Sequence, residues 1–264
     1  MVYLDFAAST PLLPSVKTEL FRSFQEDYSN PSSAHQMGRS SSDKIEIARE
    51  KIAESIGAYK SEIVFTSGAS ESNNLAIKGY LLANTKAGKH IITSTIEHKC
   101  VLSICNFLKK EFDYEITYVA PQANGIVKAQ DIISHMREDT ALVSIMHVNN
   151  ELGSIQPIKE IGDACFKKNI KFHVDAAQSY LKVKIDVDEL NIDFLSLSAH
   201  KIYGPKGIGA LYIRDIRETK LHPIIHGAGQ EFGLRGGTLA TPLILAFATA
   251  ATDEMLSQHQ GYFE

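Results

Sequence analysis

Short apolar segments alternate with helical ones along almost the whole chain, and that alternation constrains the fold more than any single motif. Ile63-Val64-Phe65-Thr66, His90 to Ser94, Glu115 to Val119, Ala141 to Met146, Ile170 to Val174 and Phe194 to Leu197 read as strands, most of them apolar or β-branched throughout. Strands without an in/out alternation are buried on both faces, as in a largely parallel sheet covered by helices on two sides. Gly209 to Ile213 reads as a further strand that returns antiparallel. Between them, helices fit at Ser41–Ile56 (stopped by Gly57), Glu71–Asn84, Val101–Glu111, Ala129–Met136 and Ile158–Lys168. Thr241 and Pro242 form an N-cap and N1 pair opening a helix to about Gln258. The expected class is α/β, with a mostly parallel central sheet and no repeat or linker to divide it.

Length and charge narrow the function. The 264 residues carry 27 Lys and Arg against 31 Asp and Glu, a net charge of -4 with no basic run, so neither nucleic acid nor an anionic membrane surface is an expected partner. The stretch Leu243 to Ala251 falls far short of the ~20 apolar residues that cross a bilayer. Met1 to Asp5 lacks the basic and apolar regions of a leader. Cys100, Cys105 and Cys165 are too few and odd in number for a disulfide framework, which fits a reducing, cytoplasmic setting. The Cys-x4-Cys spacing beside His98 is not a metal signature, and no metal is expected.

Chemistry-bearing residues gather where strands end. Thr66-Ser67-Gly68-Ala69-Ser70-Glu71 joins a strand to a helix through small residues, which suits an anion at a helix N-terminus and equally suits an ordinary capped turn. It is no Walker loop, since no Gly-Lys-Ser/Thr follows. Lys201 lies just past a buried strand in Ser198-Ala199-His200-Lys201, before a glycine-rich turn. There a lysine can lose its proton and form a Schiff base, or serve as a solvated loop residue. Asp175 ends the strand of His173-Val174-Asp175-Ala176-Ala177-Gln178, where an acid can keep a pyridine nitrogen protonated or cap a helix. His98 follows another strand, and Asn149-Asn150 a fourth; each also fits a structural role. Singly these signals are modest. Together they place phosphate donors, an imidazole, an acid and a lysine at one sheet edge, the combination pyridoxal phosphate requires.

On those motifs the chain resembles the fold type I, class V pyridoxal-phosphate enzymes, and within them the cysteine desulfurases of the NifS/IscS type. The likeness extends over the whole chain. It rests on Asn30-Pro31-Ser32-Ser33-Ala34-His35, the turn from Ser67 to Asn74, Glu97-His98-Lys99, His147 to Gly153, His173 to Gln178, Ser198 to Gly207, and Arg235-Gly236-Gly237-Thr238. The resemblance implies a large cofactor-binding domain over residues 1–264, with about residues 1–15 belonging to a small lobe whose C-terminal part is absent. It implies Lys201 as Schiff-base lysine and proton carrier, Asp175 on the ring nitrogen, Gln178 and Asn150 beside the ring oxygen, and His98 over the ring. It further implies Ala69, Ser70, Ser198 and His200 on the phosphate, with Thr238 reaching the phosphate of a neighbouring subunit in a homodimer.

The activity so implied converts L-cysteine to L-alanine and passes the sulfur to an acceptor for iron–sulfur cluster assembly or tRNA thiolation. In one respect the sequence departs from the family pattern. The persulfide cysteine belongs on a loop well beyond Arg235–Thr238, and none of Cys100, Cys105 and Cys165 falls there, so a shortened and impaired enzyme is expected. A non-catalytic cofactor-binding or scaffold subunit, or a related class V aminotransferase or selenocysteine lyase, are the alternatives.

Overall fold

The computed structural model describes residues 2–252. Seven strands form one sheet: β1 (Ile63–Thr66), β2 (His90–Ser94), β3 (Glu115–Val119), β4 (Thr140–Met146), β5 (Lys171–Asp175), β6 (Phe194–Ser198) and β7 (Gly209–Ile213). Their order is β1-β7-β6-β5-β4-β2-β3. β7 runs antiparallel to both of its neighbours, and every other pairing is parallel. The sequence boundaries of β1, β2, β3 and β7 agree with the structure residue for residue. β4 and β6 each gain one residue at one end, β5 shifts by one residue at both ends, and the antiparallel return of β7 is as expected.

Helices cover both faces because successive side chains on a strand point to opposite sides and both sides are apolar here. One layer holds α2 (Gln36–Glu54) and α7 (Ile158–Lys168). Their Ile45, Ile52, Ile161 and Cys165 bury against Val143, Ile145, Leu195 and Leu197. α8 (Thr241–Ala250) packs in that same layer against α2 and α1 (Pro14–Glu26). The opposite layer holds the segment from α3 (Ala69–Asn74) to α4 (Tyr80–Ala83) and α5 (Lys99–Phe112), with Leu75, Leu81, Ile104 and Leu108 over Ile91, Leu142 and Leu211. Each fully buried Ile or Leu contributes about 1.5–3 kcal/mol to holding these layers on the sheet. A short α6 (Ala129–Ser134) completes the set.

Several expectations are corrected. Thr241 is not a cap: Ala240 occupies that position and Thr241 begins α8. α8 ends at Ala250, with Ala251 as its C-cap, rather than running on toward Gln258; residues 253–258 of the expected helix lie outside the described residues. The expected Glu71–Asn84 helix starts earlier, at Ala69, and contains a π-helical turn at Leu75–Gly79. The helix expected from Ser41 begins at Gln36, where the His35 ring accepts from Gly38 N. α1 goes unmarked in the sequence. No helix among the described residues is long and apolar enough to cross a membrane.

Candidate active site

All the strand ends singled out in the sequence lie at one edge of the sheet, since β1, β2, β4, β5 and β6 point the same way and β7 starts where they finish. That edge of a doubly wound sheet is where ligands bind. It opens into a cleft of about 950 Å³, lined by Ala69, Ser70, His98, Asn150, Asp175, Gln178, Ser198, His200 and Lys201. Of the residues named from sequence, Thr238 alone stays outside the cleft; it is exposed on the loop that Arg235 ties to Glu71 at 3.0 Å.

The turn after β1 is shaped by two glycines. Gly68 adopts φ +148°, a conformation L side chains rarely take, and nothing lies within 4 Å of where its Cβ would stand. At Gly209, the first residue of β7, a Cβ would come within 2.6 Å of the Gly68 Cα. Glycine at both positions lets the turn sit against β7 and leaves open space at the start of α3. On the far wall, Ser198 is buried and its Oγ has no hydrogen-bond partner.

Lys201 follows Ser198 on a single 3-10 turn. Its Nζ donates to the carbonyls of Ala7 and Ala8, the latter at 2.8 Å. Burial lowers its pKa from the ordinary lysine range, opposed by the charges of Asp5 and Asp175. Lys182 behind it is pushed down to about 8, by burial first and then by the Lys201 charge. Gln178 Nε2 donates to Ala7 O at 2.8 Å, and Thr10 bonds the His200 carbonyl. Residues 5–10 therefore strap the mouth of the cleft, which no local pattern in the sequence announces.

Asp175 is buried, and its Oδ1 accepts from Ala177 N at 3.0 Å while Oδ2 accepts from Asn73 Nδ2 at 2.7 Å. Burial raises its pKa, and those hydrogen bonds pull the other way. The same Asn73 amide reaches Cys100 Sγ at 3.1 Å. His98 caps α5, its Nδ1 accepting from Cys100 N at 3.2 Å. Of the asparagine pair, Asn149 is spent on the backbone of Ile96, Glu151 and Leu152, whereas Asn150 faces the cleft. Nothing local in the sequence marks Asn73 or Glu97 for a role, although both lie in the motifs named above. Glu97 is buried, accepts from Ser94 Oγ and Met146 N, and is pushed up to about 8 by burial.

Residues 2–256 match the family described as aminotransferase class-V. The chain belongs to that family. A "Cysteine desulfurase IscS" of Shewanella woodyi is 52% identical over 95% of this chain and 62% of its own length. The chain thus spans under two thirds of that curated relative. Among solved structures, "SspA in complex with cysteine" superposes with a TM-score of 0.91 at 52% identity, covering 95% of this chain and 72% of that one. A "NIFS-LIKE PROTEIN" gives a TM-score of 0.93 at 40% identity over 98% of this chain and 71% of that one.

Class V aminotransferases and their desulfurase relatives use pyridoxal phosphate. The residues of this cleft fit it. A phosphate would meet the unpartnered Ser198 Oγ and the open turn at Gly68, and the buried Asp175 carboxyl and the Lys201 amine share the same cleft.

Proposed function

We propose that this chain is the cofactor-binding part of a cysteine desulfurase, taking sulfur from L-cysteine with release of L-alanine. The observation that carries the reading is that Lys201, Asp175 and the unpartnered Ser198 hydroxyl meet in one cleft. In this reading Lys201 Nζ holds the cofactor aldehyde carbon, Asp175 its ring nitrogen, and Gln178 and Asn150 its ring hydroxyl. His98 lies over the ring, and Ala69, Ser70, Ser198 and His200 take the phosphate. When bound, the group supplies an electron sink for the carbon beside the substrate amine.

The chain's own residues do the rest. Burial makes the Lys201 ammonium easier to deprotonate than an ordinary lysine, which suits an amine that must give up and later carry a proton. With its Nδ1 accepting from Cys100 N, a neutral His98 carries its proton on Nε2. In the overall reaction a thiolate takes the substrate sulfur, the carbon–sulfur bond breaks, and the carbon gains a proton. Thr238 would complete the phosphate site of a second copy in a homodimer, and the sulfur would pass to an iron–sulfur scaffold or another acceptor protein. Residues 1–15 are assigned to a small lobe, and the setting to the cytoplasm.

Mixed with pyridoxal phosphate, the chain is expected to turn yellow, and borohydride should fix the cofactor to Lys201. Lys201→Ala should lose both signals while its circular dichroism stays unchanged. Cofactor still fixed in Lys201→Ala would overturn the assignment. Supplied with L-cysteine and an added thiol to take the sulfur, the loaded chain should form alanine; a keto acid in its place would point to aminotransferase chemistry.

A further inference from the structure

Asn73 is fully buried on α3, between the end of β5 and the start of α5. Its amide orientation is fixed by its surroundings, because turning it would set Oδ1 against the Asp175 carboxylate. The Nδ2 group therefore spends one hydrogen on Asp175 Oδ2 at 2.7 Å and the other on Cys100 Sγ at 3.1 Å. The sulfur also lies 3.1 Å from His98 Nδ1. That nitrogen already accepts from the Cys100 backbone N–H, so it carries no proton, and the thiol can only share its one lone pair as a second, weaker donor. Directions along the chain are thus all determined: the amide donates to the carboxylate and to the sulfur, and the thiol donates to the imidazole.

We propose that Asn73 is a positioning residue that couples Asp175 to His98 through the Cys100 thiol. The inference rests on the proposed function, in which Asp175 and His98 contact the same ring from different sides. One side chain, held by packing under both, fixes the aim of the carboxylate and the place of the thiol that lies against the imidazole, whose tautomer the Cys100 backbone N–H sets. Second partners of this kind set the orientation and proton placement of the groups that touch a ligand. The arrangement also gives Cys100 its place: the thiol is a connector between Asn73 and His98. The titratable groups facing it are His98 from the α5 cap and Asp175 from β5, with Asn73 and Ser70 as polar neighbours from α3.

The test uses the full chain without cofactor. Long-range nitrogen–proton spectra of histidine-labelled protein should find His98 as the Nε2–H tautomer. Cys100→Ser should retain that tautomer, because a hydroxyl donates as the thiol does. Cys100→Ala should retain it too, because the backbone N–H that sets the tautomer stays. Iodoacetamide alkylation, reported by Cys100 because Cys105 and Cys165 are fully buried, should give a pH midpoint that moves up in Asn73→Ala. A His98 protonated at Nδ1 in the unmodified chain, or an alkylation profile unchanged by Asn73→Ala, overturns the proposal. The unmodified spectrum decides even if Asn73→Ala fails to fold. Because these readouts need no cofactor, they separate from the proposed function. Failure here with cofactor still fixed to Lys201 removes only the coupling, and loss of that fixation removes the function while the spectra stand.

Discussion

Two regions of this molecule bury charged side chains, and they treat them oppositely. Behind β1, Arg49 and Glu231 are paired twice, at 2.7 and 2.8 Å. The guanidinium also donates to Ile63 O, the carboxylate accepts from Phe65 N, and the cation stands 4.7 Å from the centre of the Phe65 ring. No atom of either group is left without a partner. At the cleft edge the opposite holds. Among the described residues, five buried side-chain atoms have no partner, and four of them, on Asn73, Glu97, His147 and Ser198, lie just past or beneath the strand ends there. The fifth, on Asp27, has Arg22 at 3.1 Å. A buried polar group left open costs about 1–3 kcal/mol. A fold that closes every valence around Arg49 yet leaves them open at one edge is keeping that edge for a ligand.

Breaking the closed region should have the largest effect. Glu231→Ala strands a buried guanidinium, and Arg49→Ala a buried carboxylate; each should lower unfolding stability by about 3–5 kcal/mol in denaturant titrations. Replacing both by apolar residues, as Arg49→Met with Glu231→Leu, should recover much of that loss. Additive losses in the double variant would mean that the two groups act independently and that their pairing carries none of the stability. Glu231 and Phe232 also hold positive φ values of 50° and 59°, so the clamp secures a strained turn before the Arg235–Thr238 loop.

In the open region, Glu97 makes the comparison sensitive to pH. Its carboxyl stays protonated in the fold up to about pH 8, against an ordinary value of 4.5. The native state therefore holds one more proton than the unfolded chain between those limits. Stability from this source is whole below the lower limit and lost as pH rises through the upper one. Relative to Glu97→Gln, the unmodified chain should lose about 1.4 kcal/mol per pH unit across that window, so about 3 kcal/mol over two units. The subtraction cancels His147 and His173, pushed down by burial to about 4 and 3. A difference that is flat with pH would mean that Glu97 is ionised and finds a partner.

Much of this was legible in the chain. Strands buried on both faces leave a composition signal that needs no tertiary knowledge, and all seven were readable. α1 was not, because Phe21 and Phe24 face outward while Val16 and Ser23 face in, so its apolar residues form no single stripe. The π turn at Leu75–Gly79 adds a residue to a helical repeat, which periodicity alone cannot register. The cleft residues at strand ends were found because the edge of a parallel sheet concentrates function. Asn73 and Glu97 escaped because their meaning depends on partners far along the chain: Asn73 reaches Asp175 across 102 positions and Glu97 reaches Met146 across 49. The strap is more remote still, with Ala8 and Lys201 separated by 193 positions.

The smallest loss of stability should come from Ser198, and it separates the two regions most sharply. Its hydroxyl is buried at the end of β6 with no partner, so Ser198→Ala removes a polar atom whose desolvation nothing in the chain offsets. Unfolding stability should not fall, and removing the unpaired group can raise it by up to about 1–3 kcal/mol. The same change should weaken pyridoxal phosphate, because a hydrogen bond to a charged oxygen contributes about 1.5–3 kcal/mol, roughly tenfold to a hundredfold in affinity. Pyridoxal, which has no phosphate, should lose far less. Parallel denaturant and absorbance titrations of both ligands check the pattern. A marked loss of stability in Ser198→Ala would place this hydroxyl with the Arg49 clamp as a structural group. Equal losses for pyridoxal and its phosphate would move the anion away from this wall of the cleft.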